Sequence, residues 1–312
     1  SGDAREAGAH ARLRFLRAEV ERHNRLYYVE AQPEIEDRAY DALFRELEEL
    51  ERAHPEWADA DSPACRVGGA PVEGFATVTH RVPMLSLGNT YSREELEQFV
   101  RRVQERLGGE PVRFVVEPKI DGVSLAVRYE RGRLVRAATR GDGRTGDDVT
   151  ANVRTIRAVP LRLNTPEPPA VLEARGEVYL ARADFARLNE RQTAAGERPF
   201  ANARNAAAGS LKQRDPRVAA GRPLRILFYG LGEADGVAFR SQLDLLEAFR
   251  KWGLPTHRRT WTAGDAGALW RAIEELDASR AGLPFETDGN PARDASSSRS
   301  EEHTSELQSH HP

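Results

Sequence analysis

The segment "VVEPKIDG", residues 115–122, carries three chemically active groups at alternate positions: Glu117, Lys119 and Asp121. In an extended chain successive side chains point to opposite faces. The acid, the amine and the second acid then share one face, and Val116, Pro118 and Ile120 take the other. Lysine is rare in this protein. Among 46 basic residues only Lys119, Lys212 and Lys251 are lysines, and an amine, unlike a guanidinium, can lose its proton and attack an electrophile. A charged alternation of this kind is more often a solvated strand face. Pro118 and Gly122 argue against that here, because they interrupt a good strand and aim the lysine out of the ladder. A free lysine titrates at roughly 10.4, so a nucleophilic role requires surroundings that favour the neutral amine, by burial or nearby positive charge.

The elements that would position this segment follow from periodicity. In "DRAYDALFRELEELERAHP" the residues Tyr40, Leu43, Phe44, Leu47 and Leu50 keep the three–four spacing of a helix, with Asp37 placed to cap it and His54-Pro55 to close it. A preceding helix around "ARLRFLRAEVERHNRLYYVE" brings Tyr27 and Tyr28 to the turn, so the N-terminal region reads as a small helical hairpin. Residues 55–90, rich in Pro, Gly and Ala, read as a linker. "SREELEQFVRRVQERLGG" then opens with the capping-box pair Ser92 and Glu95 and stops at Gly108-Gly109. From 112 the period becomes two. "VRFVVE", "VSLAVRYE" and "RLVRAATR" read as consecutive strands, with later strands at "VLEARGEVYL" and "LRILFYGLG" and helices near 182–195, 202–213, 241–252 and 265–280. This pattern is α+β, without an internal repeat.

Composition narrows the classes. A formal charge of -3 gives no global basic field, so any nucleic-acid surface must be local. One cysteine, Cys65, excludes an intramolecular disulfide and a cysteine-rich zinc site. No residue cluster points to a bound metal held by protein ligands alone. No apolar run approaches the length that spans a bilayer and no signal-peptide core is visible, so the expectation is a cytoplasmic protein without a membrane partner.

Taken in order, "EPKIDG", "ATRGDGRTGDDVTANVRTI", "EARGEVYL", "PFANARNAAAGSLKQ" and "FYGLG" resemble the bacterial NAD-dependent DNA ligases. So do "YY" and "EDRAYDAL" in the hairpin and "PMLSLGNTY" after it, and the likeness covers about residues 10 to 289. K-x-D-G alone is weakly specific; the combined set is strongly so. The resemblance implies a helical NAD-capping domain and linker over residues 1–72. It implies an adenylation domain over 73–289, of nucleotidyltransferase (ATP-grasp-like ligase) type with antiparallel sheets. Lys119 would attack the AMP phosphorus of NAD and expel nicotinamide mononucleotide, helped by magnesium on the phosphates. Asp121 would orient the amine, Glu117 would face the adenosine, and Arg140 the ribose or phosphate. Glu177 would stand beside the ribose or the metal, and Arg204 would bind phosphate. Ser86 and Leu87 match a segment on the adenine side. In the hairpin, Asp37 and Asp41 lie one helical turn apart with Tyr40 beside them, and with Tyr27 and Tyr28 they would clamp the nicotinamide ring and its ribose. Taken singly, Asp37 reads as a cap, Tyr40 as core, Arg140 and Glu177 as surface ions, and "NAAAGS" as close helix packing.

The pattern breaks near the end. Relatives continue with "DGVV.K", whereas "LPFETDG" here runs into residues 290–312, which have no periodicity and read as a non-native tail. Ala31 also departs, standing where many relatives carry an acid. The expectation is an incomplete adenylation module of a monomeric enzyme that seals nicked duplex DNA in replication and repair. The chain itself would bind the mononucleotide half of NAD, adenylate poorly and not seal nicks. Two other readings stay open: an ATP- or GTP-using nucleotidyltransferase of RNA-ligase or capping type, and a non-catalytic nucleotide-binding module.

Overall fold

The computed structural model describes residues 2–66, 73–85, 90 and 92–288. Helices α1 (Gly2–Arg25) and α2 (Asp37–Ala53) form the N-terminal hairpin. Leu13, Leu16 and Val20 close on Leu47, with Tyr40, Leu43, Phe44 and Leu50 packed around them. This is the apolar stripe that the three–four spacing places on one face. A π-helical turn, Leu26–Glu30, carries Tyr27 and Tyr28 and ends at Ala31, whose φ of 45° is left-handed. Such a conformation costs an alanine about 1–2 kcal/mol, and its N–H is held by Leu26 O. Helix α2 begins differently from the sequence expectation: Glu36 stands at the N-cap, and Asp37 is the first helical residue. The end is as expected, with the His54 N–H reaching Leu50 O at 3.0 Å before Pro55.

The expected linker is partly ordered structure. It contains two 3₁₀ turns, Pro55–Trp57 and Pro63–Arg66, and a strand β1 (Thr77–Thr79). Strand β1 pairs antiparallel with β5 (Thr145–Asp147), a contact between segments too short to show a period. Arg66 fastens this region. Its buried Nη1 donates to the carbonyls of Arg154, Ile156 and Val159 at 3.3, 3.2 and 2.8 Å. Those carbonyls lie at and just beyond the C-terminus of α4 (Thr150–Arg154), where helix carbonyls lack partners and a cation is favoured. Helix α4 itself lies in a stretch that reads as loop.

The body is a four-stranded antiparallel sheet in the order β4 (Arg133–Thr139), β3 (Val123–Glu130), β6 (Val171–Leu180), β7 (Leu224–Asp235). One face, with Leu125, Val127, Ala174, Val178, Ile226 and Phe228, is the main core. It is covered by α6 (Ala203–Leu211) and α8 (Gln242–Lys251) through Ala206, Ala207, Leu211, Leu245 and Phe249. In the chain α5 (Arg182–Ala194) precedes α6, and the short α7 (Pro216–Ala220) lies between α6 and α8. Alternation in β7, where Arg225, Leu227 and Tyr229 are half-buried between fully buried neighbours, leaves the other face for polar groups.

Strand β2 (Phe114–Val116) does not extend this sheet, although "VRFVVE" reads as the first of a consecutive run. It pairs instead with β8 (Trp261–Ala263), Val115 facing Thr262. Helices α3 (Arg93–Arg106) and α9 (Ala266–Ser279) close over that pair through Leu96, Val100, Leu269 and Ile273. The Ser92 hydroxyl caps α3 by accepting from the Glu95 N–H at 3.2 Å, and Gly108 and Gly109 follow it with positive φ. The chain therefore leaves β2, runs out as residues 117–121, and enters the main sheet at β3.

Candidate functional site

Residues 117–121 form a strap between the small sheet and the large one. Burial alternates along it: Val116, Pro118 and Ile120 are buried, while Glu117, Lys119 and Asp121 are half-exposed. The strap is fixed on its other edge by the segment before Gly289. Ile120 bridges Thr287, Asp121 N–H donates to Glu286 O at 2.9 Å, and Asp288 N–H donates to Lys119 O at 3.0 Å. Behind it Ile120 packs with Tyr179 and Phe285. Gly122 is dictated by the next contact. A Cβ there would lie 2.2 Å from Val178 O and 2.9 Å from Glu177 Cγ, so only glycine lets the strap enter β3 against β6.

Three carboxylates and two guanidinium groups gather here. Lys119 Nζ meets Asp288 Oδ2 at 2.5 Å. Asp121, expected to orient the amine, is held by Arg204 Nη1 at 3.2 Å. Arg204 is delivered by the first turn of α6, which Asn202 caps by accepting from Asn205 N–H at 2.8 Å. The "NAAAGS" run is packing as well, since Ala206, Ala207 and Ser210 are fully buried beneath that turn. Glu177, on β6, accepts from Ser124 Oγ at 2.7 Å. Burial pushes its carboxyl up to about 7, against the pull of the Ser124 bond and of the Arg204 and Arg140 charges, while Asp121 adds to the rise. Arg140 leaves the end of β4, with its N–H on Ser124 O at 3.0 Å.

Glu117 lies at the other end of the strap. Its Oε2 accepts from Gln242 Nε2 at 2.8 Å. Burial pushes this carboxyl up to about 7 also, with the Gln242 bond and then Arg250 pulling it back. Tyr229 completes the floor. Its hydroxyl is pushed up to about 12, by burial first and by the Glu177 charge second, with Ser124 opposing. Ser124, Tyr229, Gln242 and Asp288 went unread in the sequence. Only Asp288 carried a visible signal, a second acid–glycine pair in "TDG" like that of "KIDG".

The hairpin residues make a separate set of contacts. Tyr27 and Tyr28 meet edge to face, ring centres 4.8 Å apart. Tyr28 leans on the main core and is pushed up by burial, whereas Tyr27 is exposed. Tyr40 donates to Asn24 Oδ1 at 2.9 Å, and the Arg157 guanidinium sits 5.6 Å from the ring centres of both Tyr40 and Phe44. Asp41 is exposed on the same helix. For Asp37 only its place in the first turn of α2 is described, and Ser86 and Leu87 lie outside the described residues, as do residues 290–312.

A cavity of about 590 Å³ lined by residues including Cys65, Phe75, Val149 and Pro216 shares no residue with the strap. It brings no lysine together with an acid, whereas the strap does. Among the described residues no group of three or more His, Cys, Asp or Glu side chains is arranged to hold a metal ion. Magnesium is bound by one or two carboxylates together with substrate phosphates rather than by an all-protein cage. Glu177 and Asp121, close enough for the Asp121 charge to oppose ionisation of Glu177, are hard oxygen donors of the right kind. Among the described residues no helix is long and apolar enough to cross a membrane.

Comparison with known proteins adds an independent line. The family profile described as NAD-dependent DNA ligase adenylation domain matches residues 72–293. The profile described as DNA ligase-like, N-terminal NAD+-binding domain matches residues 6–68. A DNA ligase of Akkermansia muciniphila is 50% identical over 291 residues, covering 91% of this chain and 36% of that protein. One of Methylacidiphilum infernorum is 48% identical over 270 residues, 86% of this chain and 39% of that protein. One of Geotalea uraniireducens is 47% identical over 284 residues, 90% of this chain and 42% of that protein. The chain thus spans about two-fifths of the length of these curated relatives, from 36% to 42%.

Proposed function

Because the chain belongs to the NAD-dependent DNA ligase family, we propose that Lys119 is the nucleophile that takes AMP from NAD. The observation that carries this reading is the strap itself. It carries one amine, paired with Asp288, two residues from the Asp121 carboxylate that Arg204 holds, on a backbone fixed by the close approach at Gly122 and by the Ile120–Thr287 bridge. The lysine nitrogen, once free of its proton, forms a bond to the adenylate phosphorus. The bond from that phosphorus to the bridging oxygen breaks, and nicotinamide mononucleotide leaves with the electron pair. Arg204 and Arg140 offset the charge that grows on the phosphate oxygens. Glu177 and Asp121 would help hold a magnesium ion, which would supply further charge stabilisation. Glu117 faces the adenine, and the buried carboxyl of Glu177 stands by the ribose.

The hairpin grips the departing half. Tyr27, Tyr28, Tyr40, Asp37 and Asp41 supply ring faces and acceptors for nicotinamide and its ribose, with residues 1–72 forming the capping unit and 73–289 the adenylating unit. In a full-length enzyme of this family the AMP would then pass to the 5′-phosphate of nicked duplex DNA and be displaced by the adjacent 3′-hydroxyl, the enzyme being monomeric and cytoplasmic. The decisive experiment incubates the chain with magnesium and either NAD or ATP and maps any AMP adduct by mass spectrometry. An adduct on Lys119 from NAD but not ATP is expected. No adduct from NAD, or one that survives Lys119→Arg, overturns the reading.

A further inference from the structure

Gln242 is the first residue of α8, following Ser241, whose hydroxyl accepts from the Asp244 N–H. It stands 125 positions from Glu117, yet its Nε2 donates to Glu117 Oε2 at 2.8 Å and to Tyr229 O at 2.7 Å. The second contact has a structural cause. In the β6–β7 ladder Arg175 faces Gly230 and the next residue, Gly176, faces Phe228, so Tyr229 is an extra residue at a bulge. Bulges interrupt the ladder and re-aim side chains beside functional sites. Gln242 therefore ties a carbonyl outside the ladder to the carboxylate at the start of the strap.

The amide cannot be turned round. Reversed, its oxygen would face two acceptors, a carboxylate and a carbonyl, so both amide hydrogens are committed in the orientation seen. Its Oε1 is left buried without a partner among the described residues, a cost that packing alone does not explain. With Oε2 receiving the amide N–H, Glu117 is held as an acceptor and its Oε1 is left to meet a ligand.

We propose that Gln242 is a positioning residue that keeps Glu117 a hydrogen-bond acceptor toward the purine of the bound dinucleotide, selecting a 6-amino base over a 6-oxo base. The proposal rests on the reading that Glu117 faces the adenine. An ionised or acceptor-locked carboxylate takes a hydrogen bond from a 6-amino group and opposes a 6-carbonyl. Burial already brings Glu117 up to about 7, and Gln242 is the first influence pulling it down. Without Gln242 the carboxyl takes up a proton more readily, becomes a donor, and tolerates the 6-carbonyl.

The test titrates NAD and nicotinamide hypoxanthine dinucleotide into the wild-type chain, Gln242→Met and Glu117→Gln, with melting temperatures alongside. Wild type is expected to prefer NAD by about a hundredfold, because a site built around one hydrogen-bonding pattern rejects the inverse pattern strongly. In Gln242→Met the preference should fall at least about tenfold, by weaker NAD binding and equal or stronger binding of the analogue. Glu117→Gln, whose oxygen must turn to the Gln242 amide and whose NH2 then faces the base, should abolish or reverse the preference. A purely structural Gln242 would weaken both ligands equally with a lower melting temperature, and that outcome overturns the proposal. So does an unchanged preference in Glu117→Gln, which keeps the proposal open to refutation even if Gln242→Met does not fold. If wild type binds NAD without preference, the proposal fails and the NAD reading stands; if it binds neither dinucleotide, both fail.

Discussion

Glu177 accepts from Ser124 at 2.7 Å with its carboxyl buried. Arg12 and Glu46, which tie the two hairpin helices, meet at 2.6 Å with 45% and 41% of their side chains exposed. The distances match and the consequences do not. An exposed pair in water contributes about 0–1 kcal/mol and is screened by salt. A buried carboxyl changes its own titration and fixes its neighbours. Around the strap nearly every polar group is tied to a partner from a distant element: Ser124 to Glu177, Gln242 to Glu117 and Arg204 to Asp121. On the hairpin the functional face is met by one guanidinium over two rings. On the reading proposed above, the tied groups surround the attacking amine and the sparser contacts lie beside the leaving group.

Substitutions can break this contrast, starting with the largest effect. Lys119→Arg should lower AMP attachment at least about a thousandfold, worth roughly 4 kcal/mol in the barrier, with melting little changed; single-turnover labelling with NAD measures it. Gly122→Ala forces a methyl to 2.2 Å from Val178 O. It should cost about 3 kcal/mol, lowering the melting temperature by roughly 6–12 °C, and calorimetry reads this directly. Arg66→Met strips three carbonyls of a shared donor. It should cost about 2 kcal/mol and speed amide exchange in residues 150–159.

Acidity sharpens the comparison further. Glu117 and Glu177 titrate at about 7 in the folded chain, above the usual carboxylate value of 4.5. Each holds its proton more tightly folded than unfolded. Their effect on stability is therefore most favourable below 4.5 and declines as pH rises toward 7. Binding that uses the ionised forms runs the other way. NAD affinity should drop roughly tenfold between pH 8 and pH 6 for each carboxylate that binding needs ionised, while the exposed hairpin contacts stay unchanged, which calorimetric titration at each pH would reveal. The smallest effect belongs to Arg157→Gln. A cation over these half-buried rings contributes about 0.5–1 kcal/mol, so melting should shift by roughly 1–4 °C.

Much of this arrangement was legible in the sequence, for a physical reason in each case. The alternation that places Glu117 and Lys119 on one face is a local property, and burial follows it residue by residue. The hairpin stripe and the Ser92 cap are local too. What escaped was long-range or short-lived in the chain. Strands β1, β5 and β8 are three residues each, too brief for a period to show, and β2, read as a strand, pairs with a partner far away in the chain. The Tyr229 bulge and the Gln242 amide that answers it have no signature at all, because neither residue type nor spacing announces a carbonyl outside a ladder. Asp37 was misread by one position, a capping acid being chemically similar to an acid in the first turn.

The bridge between Ile120 and Thr287 carries a consequence for biosynthesis. Lys119 emerges from the ribosome 169 residues ahead of Asp288, an interval on the order of 10–30 seconds at ordinary rates of elongation. Throughout that time one edge of the lysine's segment has nothing to zip against, and the carboxylate that will meet its nitrogen has not yet been made.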